Sequence, residues 1–348
     1  MKGKIQTALA SFGMSGRVFH GPLLKVVPGF EVVKVLERSN NNSGEMFPKA
    51  EIVRSYDDIL NDKAVELIVV NTPDYLHFEM AKAALDAGKH VVVEKPFTQT
   101  STQAKELIVL AMKKGALLTV YQNRRWDGDF CTVKKVVEEK MVDRLAEFES
   151  HYDRYRNFIT PDTWKEEGGE TGGVLFNLGS HMIDQALLLF GKPESVTCHL
   201  AILREGGKVA DYYDIRFQYN GFAALLKCSY LVREPGPRYI IHGTDGSFLK
   251  WGIDPQEEAL KAGALPIGDD WGKEPESDWG LLSSETKGVH KKTKIETIPG
   301  DYKLFYENVY RTIREGEGLA VKPEEALLSI EMIEACLKSH REKRTMKV

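Results

Sequence analysis

Over the first third of the chain, apolar runs of strand length alternate with stretches of helical periodicity. The runs are IQTALASF, FEVVKVLE, VELIVVNT, HVVVEKP and LLTVYQN. Between the later ones lie TPDYLHFEMAKAALDAGK and TSTQAKELIVLAMKKG, each ending in Lys and Gly, as a helix C-terminus prefers. Near-continuous apolar strands separated by helices predict a parallel sheet covered on both faces. Residues 1–122 therefore read as one doubly wound domain. Residues 123–348 carry a different pattern. RLAEFESHYDRY, ESVTCHLAIL, DYYDIRFQY, FAALLKCSYL and RYIIHGTDGSFLKW alternate apolar with polar positions. That period of two predicts a large, mainly antiparallel sheet with one wet face. Helices are expected over VLFNLGSHMIDQALLLFG, DYKLFYENVYRTIREG and PEEALLSIEMIEACLKSH, and residues 252–300 read as a long irregular excursion. The fold class is α/β.

Composition narrows the function. The 348 residues give a net charge of −4, with acids and bases mixed along the chain, so nothing points to nucleic acid or a membrane surface. The apolar runs are too short to span a bilayer. The N-terminus reads as a first strand rather than a signal peptide. Cys131, Cys198, Cys228 and Cys336 lie far apart in no metal-ligand spacing. Reduced thiols in a cytoplasmic protein, with no metal, are the simplest reading.

The chemistry gathers at the strand ends. After the first strand comes Ser11-Phe12-Gly13-Met14-Ser15-Gly16, a G-x-G-x-x-G turn with serine in its first place. Such a turn brings backbone and helix-start amides against a dinucleotide pyrophosphate. The second strand ends at Glu37, about 20 residues on, where an acid would hold the ribose hydroxyls of NAD. Arg38 and Ser39 follow and would instead accept the 2′-phosphate of NADP. The balance leans to NADP, and a surface pair between Glu37 and Arg38 is the plain alternative. The third apolar run ends in Asn71-Thr72-Pro73, with His77 a turn later, and the last ends at Gln122. The fourth delivers Glu94-Lys95-Pro96. A lysine there would stabilise charge on a substrate oxygen, Glu94 would hold the turn or touch the nicotinamide side, and a cis proline would aim the lysine over the crevice.

A second constellation lies in GGVLFNLGSHMIDQALLLFG. Asn177 and His181 are four apart and share a helix face, and Asp184 continues it. The glycine turn, the EKP strand end and this segment together resemble the Gfo/Idh/MocA family of oxidoreductases, within it the NADP-type scyllo-inositol dehydrogenase branch. The likeness extends over essentially the whole chain, through VYQNRRWDGDF and GDYKLFYENVYRTIREG. It implies an N-terminal Rossmann domain, a C-terminal domain with an open-faced sheet, and dehydrogenation of a cyclic polyol or sugar. It further implies His181 as general base, Lys95 as its electrostatic partner and Asn177 as orienter. Many relatives carry aspartate where this chain has Asn177, and an amide cannot take a proton. Arg125 and Trp126 are candidates for substrate, as paired donors and a stacking face. Tyr152, Tyr155, Arg156 and Trp164 form a second aromatic–basic group, in which the family analogy puts Tyr155 near substrate and Trp164 near the cofactor. The resemblance also implies a homodimer or tetramer through the open sheet face, for which Phe217, Leu225, Lys227 and Tyr230 are candidates. A non-catalytic dinucleotide-binding regulator, a biliverdin reductase-like enzyme and a glycosidase that oxidises its substrate transiently are the alternatives on the same scaffold. Retention of both Lys95 and His181 favours the dehydrogenase.

Overall fold

A computed structural model describes residues 3–161, 163, 166, 172–286 and 288–348. The chain forms two compact units. The first comprises residues up to Trp126 together with Pro255–Trp271 and Asp301–Leu327, and the second comprises Asp127–Asp254, Gly272–Gly300 and Leu328–Val348.

The first unit is built on six parallel strands: β1 (Ile5–Leu9), β2 (Phe30–Leu36), β3 (Glu51–Val53), β4 (Leu67–Val70), β5 (His90–Val93) and β6 (Leu118–Val120). Their order is β3-β2-β1-β4-β5-β6, the doubly wound arrangement in which the chain reverses direction of travel beside β1. β4 is buried along its whole length, which is why it reads as an unbroken apolar run rather than an alternating one. The helix Ser101–Lys114 begins at a capping box between Thr100 and Gln103 and ends at Gly115 with φ of 62°. β3 escaped the sequence pattern because three residues at a sheet edge are too short to show a period. From the far end of the chain, the helix Lys303–Glu315 packs its aromatic face on this sheet. Tyr306 and Tyr310 meet Phe30 edge to face.

The second unit carries nine strands: β7 (Leu145–His151), β8 (Ser195–Ala201), β9 (Tyr212–Tyr219), β10 (Phe222–Ser229), β11 (Tyr239–Gly243), β12 (Gly246–Lys250), β13 (Gly280–Thr286), β14 (Val289–Ile295) and β15 (Met346–Lys347). They run in the order β14-β13-β12-β11-β7-β10-β9-β8-β15, antiparallel except where β10 meets β7. One face is covered by the helix Ser180–Phe190. The Tyr239 hydroxyl donates to Gln185 Oε1 at 3.0 Å, and the Tyr213 hydroxyl lies 2.7 Å from Met182 Sδ.

Two expectations need correction. Residues 252–300 are not simply irregular, because they contain the helix Gln256–Lys261 and the hairpin β13–β14. β14, VHKKTKI, has too few apolar positions to show a period of two, and its lysines are what an edge strand uses to discourage pairing with other chains. Phe217, Leu225, Lys227 and Tyr230 do not share the open face. In the β9–β10 register, Leu225 stands opposite Arg216 and Lys227 opposite Asp214, whereas Phe217 stands opposite Ala224 and is fully buried. Tyr230 is buried as well. Neighbouring strand residues point to opposite faces, so one step along β9 moves a side chain from wet face to core. Phe217→Ala is therefore expected to cost about 3–5 kcal/mol and Leu225→Ala about 1 kcal/mol or less in urea denaturation. Equal costs would contradict this assignment of faces.

Candidate active site

The glycine turn is stitched to the end of β4. The Ser11 amide donates to Asn71 Oδ1 at 2.9 Å, the Ser11 hydroxyl to the Asn71 carbonyl at 2.8 Å, and Asn71 Nδ2 to the Ser11 carbonyl at 2.9 Å. Serine in the first glycine's place thus adds a bond between two strand ends. Gly16 is required on steric grounds, since a Cβ there would lie 2.7 Å from the Ser11 carbonyl oxygen and 3.0 Å from Asn71 Nδ2. Gly13 has nothing within 4 Å of its would-be Cβ, so its backbone is open to a ligand's approach. Phe12 is buried edge to face against Phe47, and Met14 is half-exposed.

Glu94 answers why β5 ends in an acid. Its carboxylate is buried and bridges three elements. Oε1 accepts from the Ser15 hydroxyl at 2.6 Å and meets His20 Nε2 at 3.0 Å, while Oε2 accepts from the Lys95 amide at 2.9 Å. His20 is fully buried, its Nδ1 is 2.6 Å from the Tyr306 hydroxyl, and its ring lies 4.3 Å from that of Tyr121. Burial alone would push the Glu94 carboxyl up. The hydrogen bond and charge of His20, the Ser15 hydroxyl and the charge of Lys95 outweigh it and hold the carboxyl at about 2. Sequence reasoning missed His20 and Tyr306. Their partners stand 74 and 286 residues away, and the one local signal was a histidine four places beyond Gly16. The Lys95–Pro96 peptide is cis.

His77 is buried with Nδ1 2.8 Å from the Pro96 carbonyl oxygen and Nε2 2.9 Å from that of Thr72. Both ring nitrogens are engaged by backbone, so His77 ties the turns after β4 and β5 together and presents no free ring nitrogen to a ligand. Glu37 is also reassigned. It is 6% exposed and holds the amides of Asn42 and Ser43 rather than facing out, whereas Arg38 and Ser39 are exposed. Arg125 is buried, with Nη1 3.0 Å from the Ala320 carbonyl and 2.6 Å from Glu325 Oε2. Arg124 pairs with Glu257. The Trp126 indole packs edge to face on Phe305.

In the second unit, a π-helical turn, Leu175–Gly179, precedes the helix Ser180–Phe190. Such turns shift the helical register and are frequent at functional sites. Asn177 lies in the turn, and its side chain hydrogen-bonds Tyr230. His181 and Asp184 follow on the helix, both buried. Tyr155 is exposed beneath the Arg233 guanidinium, 3.9 Å from the ring centre, whereas Tyr152 is buried under Arg238. Trp164 lies outside the described residues. Among the described residues no cluster of ligating side chains could hold a metal ion, and no helix is long and apolar enough to cross a membrane.

A nicotinamide dinucleotide fits the first unit. Besides the open Gly13 backbone, Thr72 Oγ1 and Gln122 Oε1, at the ends of β4 and β6, are buried with no hydrogen-bond partner among the described residues. Orphaned polar atoms at the carboxyl ends of a doubly wound sheet are what a ligand there would satisfy.

Residues 5–122 match the family model described as oxidoreductase family, NAD-binding Rossmann fold, and residues 134–348 match its C-terminal alpha/beta domain. The chain belongs to the Gfo/Idh/MocA oxidoreductase family. Among the relatives of this Gfo/Idh/MocA enzyme is scyllo-inositol 2-dehydrogenase (NADP(+)) IolW of Bacillus subtilis, 42% identical over 98% of this chain and 95% of that protein. An uncharacterized oxidoreductase, YdgJ of Escherichia coli, is 38% identical over 99% of both. Of solved structures, an oxidoreductase of Bacteroides fragilis is 48% identical, with a TM-score of 0.92 over 99% of this chain and all of that one. The yvaA oxidoreductase of Bacillus subtilis reaches a TM-score of 0.95 at 40% identity, covering 99% and 98%.

The Glu94 node gives this oxidoreductase a signature in acid. A carboxyl held at about 2 when folded, against 4.5 ordinarily, contributes stability fully present above pH 4.5 and lost as pH falls toward 2. Its size is on the order of 3 kcal/mol. Glu94→Gln should flatten the decline of urea stability between pH 5 and 2.5. A variant that keeps the wild-type slope would show that the carboxylate is not held this way.

Proposed function

We propose that the chain is an NADP-preferring dehydrogenase that interconverts a secondary alcohol and a ketone on a cyclic polyol or sugar of the inositol type. One observation carries this reading. The carboxylate that fixes the Lys95 backbone is the same one that holds Ser15 of the glycine turn. A cation is thereby set at the dinucleotide end of the sheet by a buried, charged connection rather than by an adaptable loop. The 42% identity to a scyllo-inositol 2-dehydrogenase (NADP(+)) across nearly the whole chain supports the substrate class and the cofactor.

The bound dinucleotide supplies the two-electron acceptor for the alcohol and the donor for the ketone. The protein's residues manage the proton and the charge. His181 accepts the hydroxyl proton, a contribution of roughly 10²–10⁴ in rate for a positioned base. The Lys95 ammonium stabilises the negative charge that develops on that oxygen. Asn177, whose side chain is hydrogen-bonded to Tyr230, orients substrate through its amide and takes no proton. Thr72, Gln122 and the Gly13 backbone contribute to holding the dinucleotide. Tyr155, exposed beside Arg233, is the candidate for the sugar's C–H face. Arg125, paired with Glu325, and Trp126, packed on Phe305, remain candidates for the substrate's polar groups and ring face.

A panel of inositols, hexoses and sugar acids with NADP and NAD, read by nicotinamide absorbance, tests the reading. An inositol with NADP is expected to give the highest kcat/KM. Lys95→Ala and His181→Ala should each lower kcat at least a hundredfold while the dinucleotide Kd changes less than about threefold. Near-wild-type turnover in either variant would remove that residue from its role.

A further inference from the structure

At the end of β2 the residue that would mark an NAD enzyme is engaged within its own loop. Glu37 Oε1 accepts from the Ser43 amide at 2.9 Å and the Ser43 hydroxyl at 2.5 Å, and Oε2 accepts from the Asn42 amide at 2.9 Å. Three protein donors thus occupy a carboxylate with about four acceptor positions. Burial would push the Glu37 carboxyl up, but the Ser43 and Asn42 bonds and the charge of Arg54 outweigh it and hold it below the usual range.

Arg54, one residue beyond β3 and exposed, grips the same loop from outside. Its Nη1 donates to the carbonyls of Glu37 at 2.5 Å and Asn40 at 2.7 Å, and its Nη2 donates to Asn41 Oδ1 at 2.6 Å. A guanidinium spreads its donors over a rigid planar fork held away from the stem, whereas an ammonium offers three rotatable donors at a single point. Between these anchors, Arg38 and Ser39 stay exposed, and Arg38 makes no hydrogen bond or ion pair among the described residues.

We propose that Arg54 is a specificity-positioning residue for the 2′-phosphate of NADP. It fastens the Glu37–Asn41 loop so that Arg38 and Ser39 are presented to the phosphate, while Asn42 and Ser43 keep Glu37 away from the ribose. The inference rests on the NADP reading above. The withdrawal of Glu37 has two effects: it removes the acceptor that would favour the NAD ribose hydroxyls, and it takes away a charge that would repel a phosphate monoester. An arginine facing that monoester can pair with it through two parallel N–H donors.

Isothermal titration of the full chain with NADPH, NADH, 2′,5′-ADP and 5′-AMP decides it. Wild type should bind NADPH and 2′,5′-ADP at least tenfold more tightly than their unphosphorylated counterparts. Arg54→Ala should weaken NADPH and 2′,5′-ADP by tenfold or more while NADH and 5′-AMP change less than threefold, at an unchanged melting midpoint. Arg54→Lys should recover less than half of that loss, because it keeps the charge without the fork. Glu37→Gln should leave the NADH Kd within about twofold. Equal weakening of both cofactors by Arg54→Ala, no weakening of either, or a fivefold loss of NADH affinity in Glu37→Gln would each overturn the inference. A wild-type protein that binds neither dinucleotide, or prefers NADH, would instead overturn the cofactor reading beneath it.

Discussion

The first unit depends on a carboxylate kept charged out of water. Removing Glu94 from solvent costs several kcal/mol unless the charge is met by partners of good geometry. Here the partners are drawn from three places that must be adjacent for the charge to be tolerated: Ser15 in the glycine turn, His20 in the helical segment that follows it, and the backbone amide of Lys95 itself. His20 in turn needs the Tyr306 hydroxyl from a helix near the chain's end. Satisfying one buried charge therefore specifies the spacing between β1 and β5, the seat of the helix Lys303–Glu315 and the backbone position of Lys95. A neutral residue at Glu94 would be compatible with many looser arrangements. A buried anion is compatible with very few.

The polar links around it follow the same logic. Ser11 and Asn71 join the ends of β1 and β4, and His77 joins the turns after β4 and β5 through two backbone carbonyls. In an open parallel sheet the carboxyl ends of the strands are where backbone groups lose their ladder partners. Side chains that close those groups onto one another give the ligand edge a fixed shape before any ligand arrives, and preorganisation of that kind is the protein's main contribution in a cofactor enzyme.

These features also show what a sequence can disclose. The buried strands, the capped helix Ser101–Lys114 and the alternating strands β7 to β12 were legible because each imposes a local period or a local end signal. β3 and the β13–β14 hairpin were not, because β3 is a three-residue edge strand and the hairpin carries too few apolar positions to impose a period. Within the site, the glycine turn and the EKP strand end stood out through residue types that strands and turns do not ordinarily need. Glu37, His77 and Arg125 were chemically suggestive, but the pattern did not reveal the groups that hold them: amides five and six residues on, two carbonyls of separate turns, and a carboxylate 200 residues away. His20 was invisible for the same reason. A residue's chemistry is local, but its use is set by whichever partners the topology delivers.

That distinction separates positions a substitution can change freely from positions it cannot. The positions that carry the Glu94 charge and the Ser11–Asn71 bonds are mutually dependent, so changing one strands the others with unmet hydrogen bonds in a dry environment. Exposed positions near the strand ends are under no such obligation. Arg38, Ser39 and Tyr155 are exposed, and at such positions a substitution leaves no buried partner behind. Sequence can thus drift on the surface while the charged node stays fixed. A buried Glu37 fits this division, because once Asn42 and Ser43 have enclosed its carboxylate it belongs to the framework.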